Sequence, residues 1–228
     1  MKYAFFDLDH TLIPVDSSIL WATRLLEKTG ADKEELLIQR KKFDDDYRVG
    51  KLDIDAFEDF EMKLLARFKR RQLDTILEEF LKQDIEPYVL PQALELVQKA
   101  KDEGASVVLV TASYRYPVEP IAHLFGITDV ICAEPEENAE GEFTGRCLLD
   151  NFKEHKIRGV KNYLSKRGEN ESVLKDSVFY SDSLNDLPLL DYISEQGGQA
   201  VATNPDDKLR SVAQAKGWQI LDLFKKLK

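Results

Sequence analysis

The sequence predicts an α/β protein: a parallel sheet covered by helices, with an all-helical block inserted after the first strand. Three observations lead there. A fully apolar run, YAFF (residues 3–6), stops abruptly at Asp7. From Asp16 to Asp84, apolar residues recur at three- and four-residue intervals, the period of one helix face. After Pro87, short apolar runs alternate with amphipathic stretches, and that alternation builds a parallel sheet with helices on its faces.

YAFF is itself strand-like, so it belongs to the later sheet as its first strand. The helical block follows, its apolar faces marked by Leu20, Leu25 and Leu26, then Leu36, Leu37 and Phe43, then Phe57, Phe60, Leu64 and Leu65. Within it RFKRRQ (Arg67 to Gln72) reads as a solvated basic face. The remaining strands are expected at SVVLV (106–110), DVICA (129–133), SVFY (177–180), AVA (200–202) and GWQILDL (217–223). Trp21 and Trp218 read as core. The expected division is a core of residues 1–15 and 85–228 and a helical cap of 16–84, a usual size for a small domain.

Composition removes several function classes. The formal charge of −10 argues against nucleic acid as a main partner, because phosphate backbones need a basic face. No apolar run approaches the roughly 20 residues of a membrane span, and Asp7 interrupts YAFF far too early for a secretory signal. Cys132 and Cys147 therefore read as reduced thiols in a cytoplasmic protein. His10, His123 and His155 show no metal-ligand spacing. No long apolar stripe speaks to oligomeric state.

The strand ends carry the chemistry. YAFF runs into DLDHT, VVLV into TAS, SVFY into SDSLND and AVA into TNPDD. Ligands of open parallel sheets bind outside those carboxyl ends. Helix capping accounts for one Ser, Thr, Asp or Asn per loop. It does not account for Asp7 beside Asp9, which leave the strand on one side, or for Asp182 with Asp186, whose spacing places both on one face of an opening helical turn. Four converging carboxylates require a cation. All-oxygen ligands without Cys or His suit Mg²⁺, which points to phosphoryl chemistry. A calcium loop around Gly50 fails, since its ligand positions hold Asp45, Tyr47 and Val49 and its final acidic position holds Ala56. No phosphate-cradling glycine loop or G-x-S-x-G elbow is present.

Taken together, DLDHTL, VLVTAS, a lysine after the GEFTG turn, and SDSLNDLPLL resemble, in order, the four motifs of the haloacid dehalogenase-like hydrolase superfamily. The helical insertion and the segment EGEFTGRCLLDNFKEHKIRGV are similar to its phosphoserine-phosphatase branch. The resemblance implies a Rossmann-like core and an aspartyl-phosphate mechanism. Asp7 would be the nucleophile and Asp9 the general acid, then base. Mg²⁺ would be held by Asp7, Asp182 and the backbone carbonyl of Asp9, with Asp186 nearby. Thr111, with Ala112 and Ser113 beside it, would meet the phosphoryl oxygens together with Asp7, Asp9 and a lysine. NFKEHKIRGV offers Lys153 and Lys156; the family places its lysine just before the apolar start of a helix, which selects Lys156. Asp9 favours a phosphatase over a dehalogenase, which lacks that carboxylate.

Departures concern substrate. The fourth motif opens with Ser181 where glycine is usual. Asp16 stands where the phosphoserine branch carries a glutamate, Glu61 where it carries an arginine for the substrate's carboxylate, and the chain reads TASYRY where that branch has a glycine pair after the second-motif hydroxyl. An acidic residue would repel a carboxylate, so a small phosphorylated metabolite other than phosphoserine is expected. Asp16, Ser17, Arg24, Tyr47, Arg48, Tyr114 and Arg115 could also face substrate, with surface or packing roles the plainer reading. His10 and His155 receive no role. The same machinery could serve a phosphomutase or phosphotransferase, or survive in a binding protein without turnover, although binding alone has no need of Asp9.

Overall fold

The computed structural model describes residues 1–29, 33–48, 51 and 53–224, with the side chains of Asp44, Tyr47 and Arg48 outside that description. Gly50 of the rejected calcium loop, and the proposed substrate contacts of Tyr47 and Arg48, lie outside the described residues. The chain forms two compact units, Met1–Asp16 with Glu86–Ala133 and Asp150–Lys228, and Ser17–Ile85 with Glu134–Leu149.

The first unit is a parallel sheet. Its strands are β1 (Tyr3–Phe6), β2 (Ser106–Tyr114), the first part of β3 (Asp129–Glu137), β5 (Val178–Ser181), β6 (Gln199–Thr203) and β7 (Gln219–Leu221), with β4 (Phe143–Leu149) intervening in sequence. They pair in the order β3-β2-β1-β5-β6-β7. All four residues of β1 are buried, as a central parallel strand covered on both faces demands. Ala4 lies beside Val107 on one side and Val178 on the other. The order reverses at β1, so the switch point where such sheets bind ligands falls at the carboxyl ends of β1 and β5.

Helices α5 (Pro91–Asp102), α6 (Arg115–Leu124), α7 (Glu154–Lys166), α8 (Leu187–Glu195) and α9 (Asp207–Lys216) complete this unit. Pro91 opens α5, where a missing N–H is harmless. Asp206 caps α9 through the Leu209 amide and Gly217 ends it at φ 69°. Phe5, Val108, Val110, Val160, Leu164, Phe179, Leu189 and Ile193 share one buried cluster, with Trp218 packed half-buried at its edge.

The second unit holds α1 (Ser17–Leu26), α2 (Lys33–Arg48), α3 (Ile54–Leu65) and α4 (Arg70–Phe80). Trp21 is buried edge-on against Phe80, and Phe43 lies against Phe57 and Phe60. Two expectations need correction here. Residues 134–149, assigned to the core from sequence, group with the helices, so this unit is not all-helical: β4 pairs antiparallel with the far part of β3. GEFTG is likewise strand at Phe143–Gly145, and the turn comes earlier, where Asn138 Oδ1 accepts from the amides of Glu140 and Glu142.

Arg70 supplies the physical reason. Arg67, Lys69, Arg71 and Gln72 are exposed, as expected of a solvated face, but half-buried Arg70 pairs with Glu137 at 2.7 Å, donates to the Gly141 carbonyl at 2.9 Å and lies 4.0 Å over the Phe143 ring. Its own amide donates to Glu142. Gly145 takes φ +86°, a conformation that L side chains rarely adopt, where β4 lies in ordinary contact with the end of α3.

Candidate active site

Every catalytic residue expected from sequence lies in the first unit, at the carboxyl end of its sheet. Asp7 is the first residue past β1, its amide donating to the Tyr180 carbonyl at 2.9 Å and so extending the ladder toward β5. The chain then closes a tight turn, with the amides of Thr11 and Leu12 donating to the Leu8 carbonyl. His10 sits in the left-handed region at φ 56° and is exposed. Asn204, also left-handed, ties this turn down by donating to the carbonyls of His10 and Thr11.

Lys156 is the centre of charge. It is 3% exposed, and its Nζ lies 2.8 Å from Asp7 Oδ1 and 2.7 Å from Asp186 Oδ1. Burial opposes its charge, but Asp186 and Asp7 more than offset this and hold its proton above the ordinary lysine range. The alternative, Lys153, is exposed, precedes α7 at φ 47° and rests its Nζ over the Phe152 ring. Geometry brings only Lys156 to the aspartates.

The other carboxylates gather around this pair. Asp186 closes a 3-10 turn ahead of α8, while Asp182 precedes that turn and does not share its face as expected, and Asp186 accepts from Ser181 Oγ at 2.7 Å. Asp182 accepts from Thr11 Oγ1 at 3.3 Å. Half-buried Asp9 accepts from Ser113 Oγ at 3.2 Å. Thr111 is buried, its Oγ1 accepting from the Ser113 amide, while Ala112 is exposed. Ser181, Thr11 and Ser113 thus orient three of the four carboxylates; sequence shows the hydroxyls but not their targets.

Charge in this site is unbalanced. Burial lifts the Asp7 carboxyl to about 6, with Asp186 adding to the rise and Lys156 opposing it. Asp182 is raised well above the ordinary range by burial, then by the charges of Asp7 and Asp186. One ammonium pairs with Asp7 and Asp186 while Asp182 is also exposed to their charge, so the site has capacity for a hard cation. Among the described residues no three His, Cys, Asp or Glu side chains form a ready metal cage. Mg²⁺ needs none, since it uses one or two carboxylates, waters and substrate phosphate; the oxygen donors of Asp7 and Asp182 fit that demand.

Several other expected contacts are committed elsewhere. Arg115 donates to Glu119 and to the Val130 carbonyl, and Tyr114 is buried. His155 pairs with Asp150. In the second unit, Arg24 donates twice to Asp84, Ser17 is buried, and Glu61, 3% exposed, lies 3.4 Å from the Arg40 Nε. Glu61 is therefore a charge-paired residue and not an isolated acid. Among the described residues no helix is long and apolar enough to cross a membrane.

Known proteins share this arrangement's sequence. Residues 4–191 match the haloacid dehalogenase-like hydrolase family. The histidinol-phosphatase of Neisseria meningitidis serogroup C is 39% identical over 220 residues, covering 96% of this chain and 97% of that protein. The phosphoserine phosphatase SerB1 of Mycobacterium tuberculosis H37Rv is 31% identical, covering 96% and 70%. A Bordetella pertussis Tohama I protein of unknown function superposes with a TM-score of 0.88 at 36% identity, covering 98% of this chain and 99% of that one. The chain belongs to the haloacid dehalogenase-like hydrolases and is a phosphatase.

Proposed function

We propose that the protein hydrolyses a small phosphomonoester in two Mg²⁺-dependent steps through phosphorylated Asp7, and that histidinol phosphate is its foremost candidate substrate. One observation carries the chemistry: a fully buried Lys156 holding Asp7 and Asp186 together at 2.7–2.8 Å, with Asp9 two residues beyond Asp7 and only half-buried.

An Asp7 carboxylate oxygen attacks phosphorus as the leaving oxygen departs, and the Asp9 carboxyl delivers its proton to that oxygen. Asp9, now a carboxylate, takes a proton from the attacking water, and the Asp7 oxygen–phosphorus bond breaks to release phosphate. Thr111 donates to the phosphoryl oxygens and Lys156 neutralises their charge. Ser113 holds Asp9 toward the reacting group. Bound through Asp7, Asp182 and the Asp9 carbonyl, with Asp186 nearby, Mg²⁺ would offset the charge on the transferring phosphoryl group. The second unit is assigned the part of a cap whose closure excludes bulk water.

Two lines support the substrate. The 39% relative that spans nearly the whole chain is a histidinol-phosphatase, and histidinol phosphate has an amine and an imidazole but no carboxylate. Glu61, already paired with Arg40, stands where the phosphoserine branch carries a carboxylate-binding arginine, so the support is the missing cation at that position and not a free acid. The test is Mg²⁺-dependent phosphate release from histidinol phosphate, phosphoserine and p-nitrophenyl phosphate, alongside Asp7→Asn. Histidinol phosphate should lead in kcat/KM, and the variant should be silent. Preference for phosphoserine would sink the substrate assignment; activity surviving in Asp7→Asn would sink the mechanism.

A further inference from the structure

We propose that Asn151 is a positioning residue that sets the placement of Thr111 and Lys156 around the phosphoryl group, an inference that rests on the phosphatase reading above. Asn151 lies outside the four motifs, in the loop that leads from β4 to α7, and is 2% exposed. Its Nδ2 donates to the carbonyl of Thr111 at 2.8 Å and to that of Ile131 at 3.2 Å. A primary amide has two N–H donors, so one side chain serves both strands.

The location of those carbonyls matters. They lie where the register between β2 and β3 changes, from Val110 beside Ile131 to Tyr114 beside Ala133. In this interval β2 spends three residues, Thr111, Ala112 and Ser113, where β3 spends one, Cys132. Asn151 therefore bridges the strands at the irregularity from which Thr111 is presented.

The opposite side of the same amide meets α7. A Cβ built at Gly159 would lie 2.7 Å from Asn151 Oδ1 and 2.6 Å from Ile131 Cγ2. Its φ is not in the left-handed region, so glycine is needed for close approach and not for backbone conformation. Gly159 follows Lys156 by three residues, which places the two on neighbouring positions of one helix face. Asn151 is thus wedged between the strand end that presents Thr111 and the helix face that delivers Lys156. Displacing groups of this kind by about 1 Å can cost about a hundredfold in rate.

The experiment compares wild type with Asn151→Ala, Asn151→Asp, Asn151→Ser and Gly159→Ala, well below each melting midpoint. It measures kcat and KM for p-nitrophenyl phosphate, and Kd for orthophosphate by calorimetry with Mg²⁺. Asn151→Ala should lower kcat by about tenfold or more and weaken orthophosphate binding while the protein stays folded. Asn151→Asp should fall further, because a carboxylate would face two carbonyls. Asn151→Ser, which keeps one donor, should lie between Asn151→Ala and wild type. Gly159→Ala should resemble Asn151→Ala, and cost somewhat less when added to it, because the clash with Asn151 Oδ1 is gone while that with Ile131 Cγ2 stays.

A folded Asn151→Ala with kcat and orthophosphate Kd within about twofold of wild type would overturn the proposal. So would lost activity that only tracks the unfolded fraction. Should Asn151→Ala not fold, Asn151→Ser and Gly159→Ala decide by the same criteria. A wild type that binds orthophosphate but hydrolyses no phosphomonoester refutes the phosphatase reading alone, and the affinities then decide for Asn151. No orthophosphate binding by wild type refutes both.

Discussion

Lys156 balances two buried carboxylates, so its loss should act on chemistry and stability together. Lys156→Ala is expected to lower kcat by roughly a hundred- to a thousandfold, as for other losses of a charge-stabilising donor. In the metal-free protein it should also cost about 3–5 kcal/mol, the usual penalty for stranding a buried charge; kinetics and urea melts in EDTA check both. Lys153→Ala, whose side chain is exposed, should remain near wild type in both assays. Asp7 makes a prediction in pH. Its carboxyl is raised by burial from 3.8 to about 6, so the folded protein keeps a proton that the unfolded chain has released in that window. The contribution of Asp7 to stability therefore falls as pH rises from 3.8 toward 6 and levels off above it. Asp7→Asn lacks this titration. In EDTA its stability relative to wild type should rise by up to about 3 kcal/mol across that window, measured by denaturant melts at each pH; a gap independent of pH would remove Asp7 as the titrating group.

Among the elements, the strand pair β3–β4 shows best what sequence does and does not reveal. The central parallel strands β1, β2, β5 and β6 are legible because they are largely buried, which writes each around an apolar run, and because their ends switch abruptly to Asp, Ser and Thr. Asp7, Asp9, Thr111 and Asp182 are readable for the same reason. β4 escapes this reading: only Phe143 of its seven residues is buried, so FTGRCLL carries neither an apolar run nor a clean alternation. The Arg70 that lies over its Phe143 is seventy-odd positions away in sequence, and local periodicity says nothing of such contacts. Asn151 is hidden likewise, since its role depends on two carbonyls and a glycine that only folding brings together. Arg70→Ala should therefore loosen a specific piece of the molecule. Hydrogen exchange at residues 143–149 is expected to quicken, with a loss on the order of 1–2 kcal/mol from the pair, the hydrogen bond and the aromatic contact. Exchange in β1 and β5 should stay unchanged. Uniform acceleration through the sheet would show instead that Arg70 supports the whole chain.

At the scale of the whole molecule, the charge left over in the site ought to appear as a coupling between metal, protons and stability. The chain already carries a formal charge of −10, and Lys156 pairs with only Asp7 and Asp186 while Asp182 feels their charge, so metal-free protein pays a repulsion that Mg²⁺ would relieve. Anything that binds the native state alone stabilises it by mass action, about 2.7 kcal/mol at a hundredfold excess over Kd. For a domain of this size that corresponds to a rise of roughly 5–10 °C in melting midpoint. The chain forms two compact units, and the oxygen donors all belong to the first. Where calorimetry resolves two transitions, the shift should therefore fall on the one that carries the parallel sheet. Protons compete for the same oxygens, so the shift should shrink as pH falls below about 6, where Asp7 takes up its proton. Asp182→Asn should abolish most of it. Ca²⁺, larger and suited to six to eight oxygens, should support far less phosphate release than Mg²⁺, and EDTA should stop turnover until Mg²⁺ is restored. A Mg²⁺ shift of equal size in wild type and Asp182→Asn would place the cation elsewhere, and hydrolysis that persists in EDTA would show that Lys156 and Thr111 suffice without it.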